Sequence, residues 1–333
     1  MPRKRLLAIL VSLYLVFGVG IVGMAAKVWA SSSPTLHISV LGASSDSTVL
    51  ADVSAAPILA SYPTLDATLL PRILSKEYSL YDVDSGRTLV SSQMLDPVPI
   101  ASTTKMMTIH LATRYLIPSD TQTVSLAAAK QPPESSLMGI HNGERITVEQ
   151  LMYGAMMVSG NDAAYALAEQ SGGVLLNNQS ASSSEKIARF VVEMNDEAKA
   201  LGMSSTKYVE PVGINDEVRS NAVDLAKLAS IWVRDPEVVK IIGTPTISFN
   251  SDSGYHYDMK DSNRLVADYQ YQGIIGGKTG YTDAAGHCLV NVATRNGHTL
   301  VAVILHTNSQ TNEASALESR KLLDAGFSLT HWN

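Results

Sequence analysis

The sequence predicts an α/β protein of the α+β kind: an antiparallel sheet flanked by helices, built from both ends of the chain, with a mainly helical lobe inserted between. Three observations predict it. Short segments of strand character lie near residues 78–90 and again at 274–305. Segments of helical period fill the interval. Asn296-Gly297 joins two apolar runs with hairpin chemistry.

In order along the chain, Arg3, Lys4 and Arg5 precede an uncharged run from Leu6 to Ala26. About 21 mostly apolar residues suffice to span ~30 Å of hydrocarbon. Basic residues on the N-terminal side place that end in the cytoplasm and the rest outside the cell membrane. Two readings of residues 1–30 stay open. The length of the run favours a retained membrane anchor. Val28-Trp29-Ala30 offers small residues for signal-peptide cleavage before Ser31. The location is accordingly the extracytoplasmic face of the membrane, or the medium after cleavage near Ala30.

Residues 31–70 are rich in Ser, Ala, Thr and Pro and read as a linker, with a catalytic domain over 71–333. Tyr78–Val83 and Thr88–Val90 flank Asp84-Ser85-Gly86 as a hairpin. A helix opens near Ser102 and ends by Pro118. Thr147…Gln150 and Ser182…Glu185 read as capping boxes. Ile187, Phe190, Val191, Met194, Ala198 and Leu201 keep helical spacing up to Gly202. Leu225, Leu228, Ala229 and Trp232 mark a helix before Pro236. Strands follow at 274–280, 288–293 and 300–305. A last helix runs from Glu313 to Ala325, capped by Gly326. No internal repeat is present.

Composition narrows the function classes. The chain has 333 residues, 45% of them hydrophobic, and a net charge of −6, so it holds one or two cores and carries no basic, aromatic-laced patch for nucleic acid. Its single cysteine, Cys288, excludes an internal disulfide framework and reads as a buried thiol. No H-E-x-x-H or C-x-x-C occurs, so neither metal nor cofactor is expected. The clustered methionines Met106, Met107, Met152, Met156 and Met157 read as core filler. His110 reads as core. His141, His287 and His306 have no partner at catalytic spacing.

Ser102 and Lys105 stand three apart, on one face if helical. A serine hydroxyl needs a base to take its proton, and a lysine amine is a base only when neutral. Moving a lysine from about 10.4 toward pH 7 asks the site for roughly 4 kcal/mol of burial and like-charge repulsion. Lys278 is the candidate second cation. S-x-x-K alone is weak, because it recurs at Ser183…Lys186, a helix cap, and at Ser204…Lys207, a loop. Its company lifts it: Ser159-Gly160-Asn161, and the single K-T-G at Lys278-Thr279-Gly280. S-x-N also recurs, at Ser248-Phe249-Asn250. Together these segments suit acyl transfer. Ser102 attacks an acyl carbon and Lys105 takes its proton. Ser159 relays a proton to the leaving amine, and Asn161 positions Lys105 and the substrate amide. Lys278 adds positive field, Thr279 meets a substrate carboxylate, and Gly280 admits the substrate backbone to the strand edge. The backbone N–H groups of Ser102 and Tyr281 suit an oxyanion hole, worth about 3–4 kcal/mol per donor.

This set resembles the penicillin-binding acyl-serine enzymes. The surrounding text is similar to the low-molecular-mass D-alanyl-D-alanine carboxypeptidases. The similarity is carried by Pro99–Thr108, by Val158–Ala164 with Ala166–Glu169, and by Met194-Asn195…Leu201-Gly202-Met203 with Pro211-Val212-Gly213. It continues through Gly277–Thr282 with Ala285-Gly286, and Leu322–Phe327. The resemblance covers residues 71–327. It implies a β-lactamase/transpeptidase-like fold and removal of the terminal D-Ala from peptidoglycan stem pentapeptides through an acyl-enzyme on Ser102. It also implies covalent inhibition by β-lactams.

Two departures stand out. Many relatives carry a further C-terminal β-domain and amphipathic anchor, whereas this sequence stops at Asn333, leaving membrane attachment to the N-terminal segment. Relatives also carry an arginine near the start of the last helix for the substrate carboxylate. Here that position is Ser315, with Arg320 and Arg295 elsewhere.

Rival readings remain. A β-lactamase would be signalled by E-x-x-L-N, and the nearest match is Glu217-Val218-Arg219-Ser220-Asn221. An endopeptidase or transpeptidase on the same wall substrate would share all three motifs. A non-catalytic penicillin-sensing, wall-binding module would be expected to have lost Ser102, Lys105 or Lys278.

Overall fold

The computed structural model describes residues 26–29, 37–40, 63–92, 96–308 and 311–332. Two units are distinct, residues 1–61 and 62–333. In the first, Ala26–Trp29 pairs antiparallel with His37–Val40. The expected membrane run lies outside the described residues apart from Ala26, as does most of the expected linker. No helix among the described residues is long and apolar enough to cross a membrane.

The second unit is built on a five-stranded antiparallel sheet. Its spatial order is Ile274–Thr282, Gly286–Arg295, His298–Thr307, Glu77–Asp82, Arg87–Ser91. The C-terminal meander thus pairs with the N-terminal hairpin, Leu300 opposite Asp82 and Leu305 opposite Glu77. The central strands bury both faces. Val290, Val292, Val301, Val303 and Leu305 face the larger core, while Leu289, Ala293, Leu300, Ala302 and Ile304 face the smaller one. That explains their nearly unbroken apolar text. The Asn296-Gly297 turn has both residues at positive φ, 52° and 84°, as the tight hairpin requires.

Helices Lys105–Tyr115, Val148–Met157, Asn161–Leu175 and Ser183–Ala200 form the inserted lobe. Both expected capping boxes are made, by Thr147 with Gln150 and by Ser182 with Glu185. The methionine cluster is buried in the larger core. Cys288 is buried too, and burial pushes its thiol up to about 12.

Four details differ from the sequence reading. Pro236 starts a helix, Pro236–Ile242, which the periodicity missed. Asp235 caps it, and proline at the first helical position forfeits no bond. The last helix runs through Gly326 to Leu329. Gly326 is not a cap: a Cβ there would lie 2.7 Å from side-chain atoms of Leu80 and Leu300, so the residue lets helix and sheet approach closely. Thr64–Leu65, within the expected linker, pairs with Thr330–His331. His110 is half-buried and paired with Glu197 at 2.9 Å rather than packed in the core.

Candidate active site

Three segments far apart in sequence meet where the lobe faces the first strand of the meander. The Ser102 segment begins as a single 3-10 turn, Ala101–Thr104, and continues as the Lys105 helix. The hydroxyls of Thr103 and Thr104 donate to the carbonyls of Ile100 and Ala101, both at 2.7 Å, closing the turn from inside. Ala101 is held at φ 47°, an uncommon value for a residue with a side chain, enforced by its surroundings.

Lys105 is fully buried. Its side-chain nitrogen lies 2.9 Å from Ser102 Oγ, 2.6 Å from Asn161 Oδ1 and 2.7 Å from the Val212 carbonyl. All three partners accept from Nζ or share a proton with it, and none is a carboxylate. Burial drives its pKa well below the ordinary lysine value, and the charge of Lys278 adds to the fall. The carboxylates of Glu210 and Asp162 oppose it. The amine the chemistry requires is therefore favoured.

Asn161 opens the helix that follows Ser159, so its side chain points back toward Lys105. Ser159 sits at φ 59°, the second strained residue of the site. Lys278 Nζ donates to Ser159 Oγ at 3.0 Å and to the Thr279 carbonyl at 2.9 Å. Burial also lowers the Lys278 pKa, against the pull of the Asp261 carboxylate.

The strand bearing Lys278 passes close to the serine turn. A Cβ on Gly280 would stand 3.0 Å from the Ser102 nitrogen. Thr279 Oγ1 shares a hydrogen bond with Ser262 Oγ at 2.7 Å. Tyr281 is at the rim, half exposed, with its hydroxyl donating to Asp283 and its ring 4.5 Å from that of His287. Every predicted site residue thus lies on one of the three converging segments.

Supporting residues were not legible in the sequence. Glu210 accepts from the backbone nitrogens of Val212, Gly213 and Ile214, at 2.7, 2.6 and 3.0 Å, and so aims the Val212 carbonyl at Lys105. Thr108 pins the same loop by donating to the Pro211 carbonyl. Asp162 accepts from the backbone nitrogens of Met138, Gly139 and Ile140. The Asn161 nitrogen donates to the Ser136 carbonyl at 2.8 Å, so the 136–140 loop is moored beside Ser159. Arg295 and Arg320, the arginines considered for the substrate carboxylate, both pair with Asp324, and Ser315 is buried with its hydroxyl on the Asn312 carbonyl.

A nucleophilic hydroxyl on a buried lysine amine, faced by a second lysine across the cleft between helical lobe and antiparallel sheet, defines the acyl-serine, penicillin-binding class of fold. Residues 65–309 match the family described as D-alanyl-D-alanine carboxypeptidase, and the chain belongs to that family. It is 30% identical over 260 residues to the D-alanyl-D-alanine carboxypeptidase DacF of Bacillus subtilis, a match covering 76% of this chain and 62% of that protein. The chain thus spans less than two thirds of that relative. It is 31% identical to a D-alanyl-D-alanine endopeptidase of Pseudomonas aeruginosa, over 79% of this chain and 82% of the relative. Among solved structures, a Streptomyces DD-transpeptidase superposes with a TM-score of 0.71 at 28% identity, covering 78% of this chain and 99% of the other.

Proposed function

We propose that the protein is a serine-type D-Ala-D-Ala carboxypeptidase acting on peptidoglycan stem peptides. The observation that carries the reading is the 2.9 Å contact between Ser102 Oγ and the Lys105 nitrogen, whose pKa burial and a second cation drive well below the ordinary lysine value. Ser102 Oγ attacks the carbonyl carbon of the penultimate D-Ala while Lys105 takes the hydroxyl proton. The oxyanion that forms is received by the backbone N–H groups of Ser102 and Tyr281. The C–N bond breaks, and the departing D-Ala amine takes, through the Ser159 hydroxyl, the proton that Lys105 had accepted, which leaves Lys105 neutral again. Water, deprotonated by Lys105, then cleaves the ester and restores Ser102. Lys278 and Thr279 hold the substrate's terminal carboxylate, with Gly280 admitting its backbone beside the strand. A β-lactam enters by the same attack, and its leaving amine stays tethered, so the acyl-enzyme persists.

The transpeptidase reading stays open because the three motifs do not distinguish acyl acceptors, and the endopeptidase reading keeps support because the two arginines the sequence offered are engaged elsewhere. A subsite without them discriminates less strongly against a substrate that lacks a free carboxylate. The silent sensor reading is disfavoured by the retention of Ser102, Lys105 and Lys278. The N-terminal basic and apolar text supports a place on the extracytoplasmic face of the membrane, by anchor or after cleavage near Ala30.

Protein starting at Ser31 should release D-Ala from a D-Ala-D-Ala peptide, and Ser102→Ala should abolish both release and covalent labelling by fluorescent penicillin. Full release by Ser102→Ala refutes the assignment, and labelling without release turns it toward the sensor. Product analysis on isolated peptidoglycan separates carboxypeptidase from endopeptidase and transpeptidase. Sequencing the mature N-terminus from membrane and medium decides between anchor and signal peptide.

A further inference from the structure

The proposed reaction leaves the substrate's terminal carboxylate to Lys278 and Thr279, and a further hydroxyl stands beside them. Ser262 Oγ and Thr279 Oγ1 lie 2.7 Å apart and share a hydrogen bond. Among the described residues neither hydroxyl has another hydrogen-bond partner. Two hydroxyls bring two protons, and the bond between them uses one. The pair therefore keeps one donor uncommitted in the free protein. Both residues are half-buried, so the pair is open on one side.

The pair sits at the cleft. Thr279 immediately precedes Gly280, whose Cβ position is 3.0 Å from the Ser102 nitrogen, and consecutive Cα atoms are ~3.8 Å apart. Ser262 is held there from three sides. Its nitrogen donates at 2.9 Å to the carbonyl of Met157, the last residue of the helix that leads to Ser159. Its carbonyl accepts from Asn312 Nδ2 at 3.2 Å, and Asn312 Oδ1 in turn accepts from Arg264 Nε at 3.0 Å. The next residue, Asn263, donates at 2.7 Å to Asn291, on the strand paired with that of Lys278. The Asp261 carboxylate, on the other side in sequence, accepts from the Asn263 nitrogen at 2.8 Å and does not bond the pair. The Ser262 hydroxyl is thus fixed in place before any substrate arrives, which lowers the cost of binding.

We infer that Ser262 is a substrate-binding residue: with Thr279 it forms a two-hydroxyl fork that receives both oxygens of the substrate's terminal carboxylate. The two oxygens of a carboxylate accept two donors side by side, and bonds to an ionised acceptor are about twice as strong as neutral ones. Exchanging the single hydroxyl–hydroxyl bond for two bonds to a carboxylate is therefore favourable. The inference takes its substrate from the carboxypeptidase reading, and a β-lactam that bears a carboxylate engages the same fork. An ester in that place offers one uncharged carbonyl oxygen, which Thr279 alone serves.

The test compares second-order labelling rates of the full chain with a fluorescent penicillin as the free acid and as its methyl ester. Ser262→Ala should slow labelling by the acid about tenfold, the loss of one hydrogen bond to a charged group, and labelling by the ester less than about twofold. Ser262→Thr, which keeps the hydroxyl, should stay within about threefold of wild type on the acid. With a D-Ala-D-Ala peptide, Ser262→Ala should raise KM and leave kcat near that of the wild type. Unchanged acid labelling in Ser262→Ala would overturn the inference. So would equal slowing with acid and ester, because that is what a merely structural role produces. Penicillin labelling of the wild type without D-Ala release would sink the carboxypeptidase reading, yet the ratio of acid to ester rates would still decide the fork. No labelling of the wild type at all would sink both.

Discussion

Gly213 is the place where a single methyl group should reach Ser102. Its φ is +83°, and a Cβ there would stand 2.0 Å from the Ala101 carbonyl oxygen and 2.8 Å from Thr104 Oγ1. Alanine at a left-handed position costs about 1–2 kcal/mol. Forcing a methyl against packed backbone adds about 1–3 kcal/mol. Gly213→Ala should therefore destabilise by about 2–5 kcal/mol. Gly202, at φ +68° with nothing within 4 Å of its Cβ position, is the internal control and should lose only the conformational part. The functional consequence differs as well. Gly213 is flanked by the Val212 carbonyl that holds Lys105, and it presses on the turn that carries Ser102. A displacement of about 1 Å there can cost on the order of a hundredfold in rate. Urea unfolding measures the loss of stability, and the second-order rate of penicillin labelling measures the loss of reactivity. Unfolding of Gly213→Ala at the same urea concentration as Gly202→Ala, or equally fast labelling of the two, would refute this account of the close approach.

Two further outcomes follow from charge. Glu77 is 4% exposed, and burial pushes its carboxyl up to about 7 from 4.5, against its bond from the Ala222 nitrogen, with Asp96 adding to the rise. Between those values the folded state binds the proton that the unfolded state has released, so stability falls as pH rises through the window. Glu77→Gln should remove that slope, making the variant more stable than wild type by about 3 kcal/mol at pH 8 and nearly equal at pH 4, as urea unfolding at the two pH values would register. Equal slopes in both proteins would contradict it. Lys278→Met removes the cation that helps keep Lys105 uncharged, so the Lys105 pKa should rise. The acid limb of the penicillin-labelling rate should therefore move to higher pH. At a fixed pH below the limb, the rate should fall about tenfold for every pH unit that the limb moves. An unmoved limb would show that burial alone sets the amine.

Much of the architecture was legible because local chemistry reports it. The capping boxes at Thr147 and Ser182, the Asn296-Gly297 hairpin and the helical period of Ile187–Leu201 each depend on neighbours in sequence, and all formed as read. Pro236 and Gly326 misled because the same residue type serves opposite purposes. Proline ends one helix or begins the next, and glycine caps a helix or admits a close neighbour. For Gly326 only the partners across space, Leu80 and Leu300, tell which; for Pro236 the answer lay next to it, in the Asp235 side chain that caps the new helix.

The sequence alone determined the reacting types and their order: serine and lysine one helical turn apart, Ser159 and Asn161 at a helix start, Lys278-Thr279-Gly280 on a strand. What only the tertiary structure decided was the state of those groups. The Lys105 pKa is lowered because the fold removes the side chain from water and brings Lys278 near, and its nitrogen is offered neutral oxygens. Glu210 and Asp162 became supports because loops folded onto their carboxylates. Burial and long-range approach are sums over residues distant in the chain, so no local pattern records them.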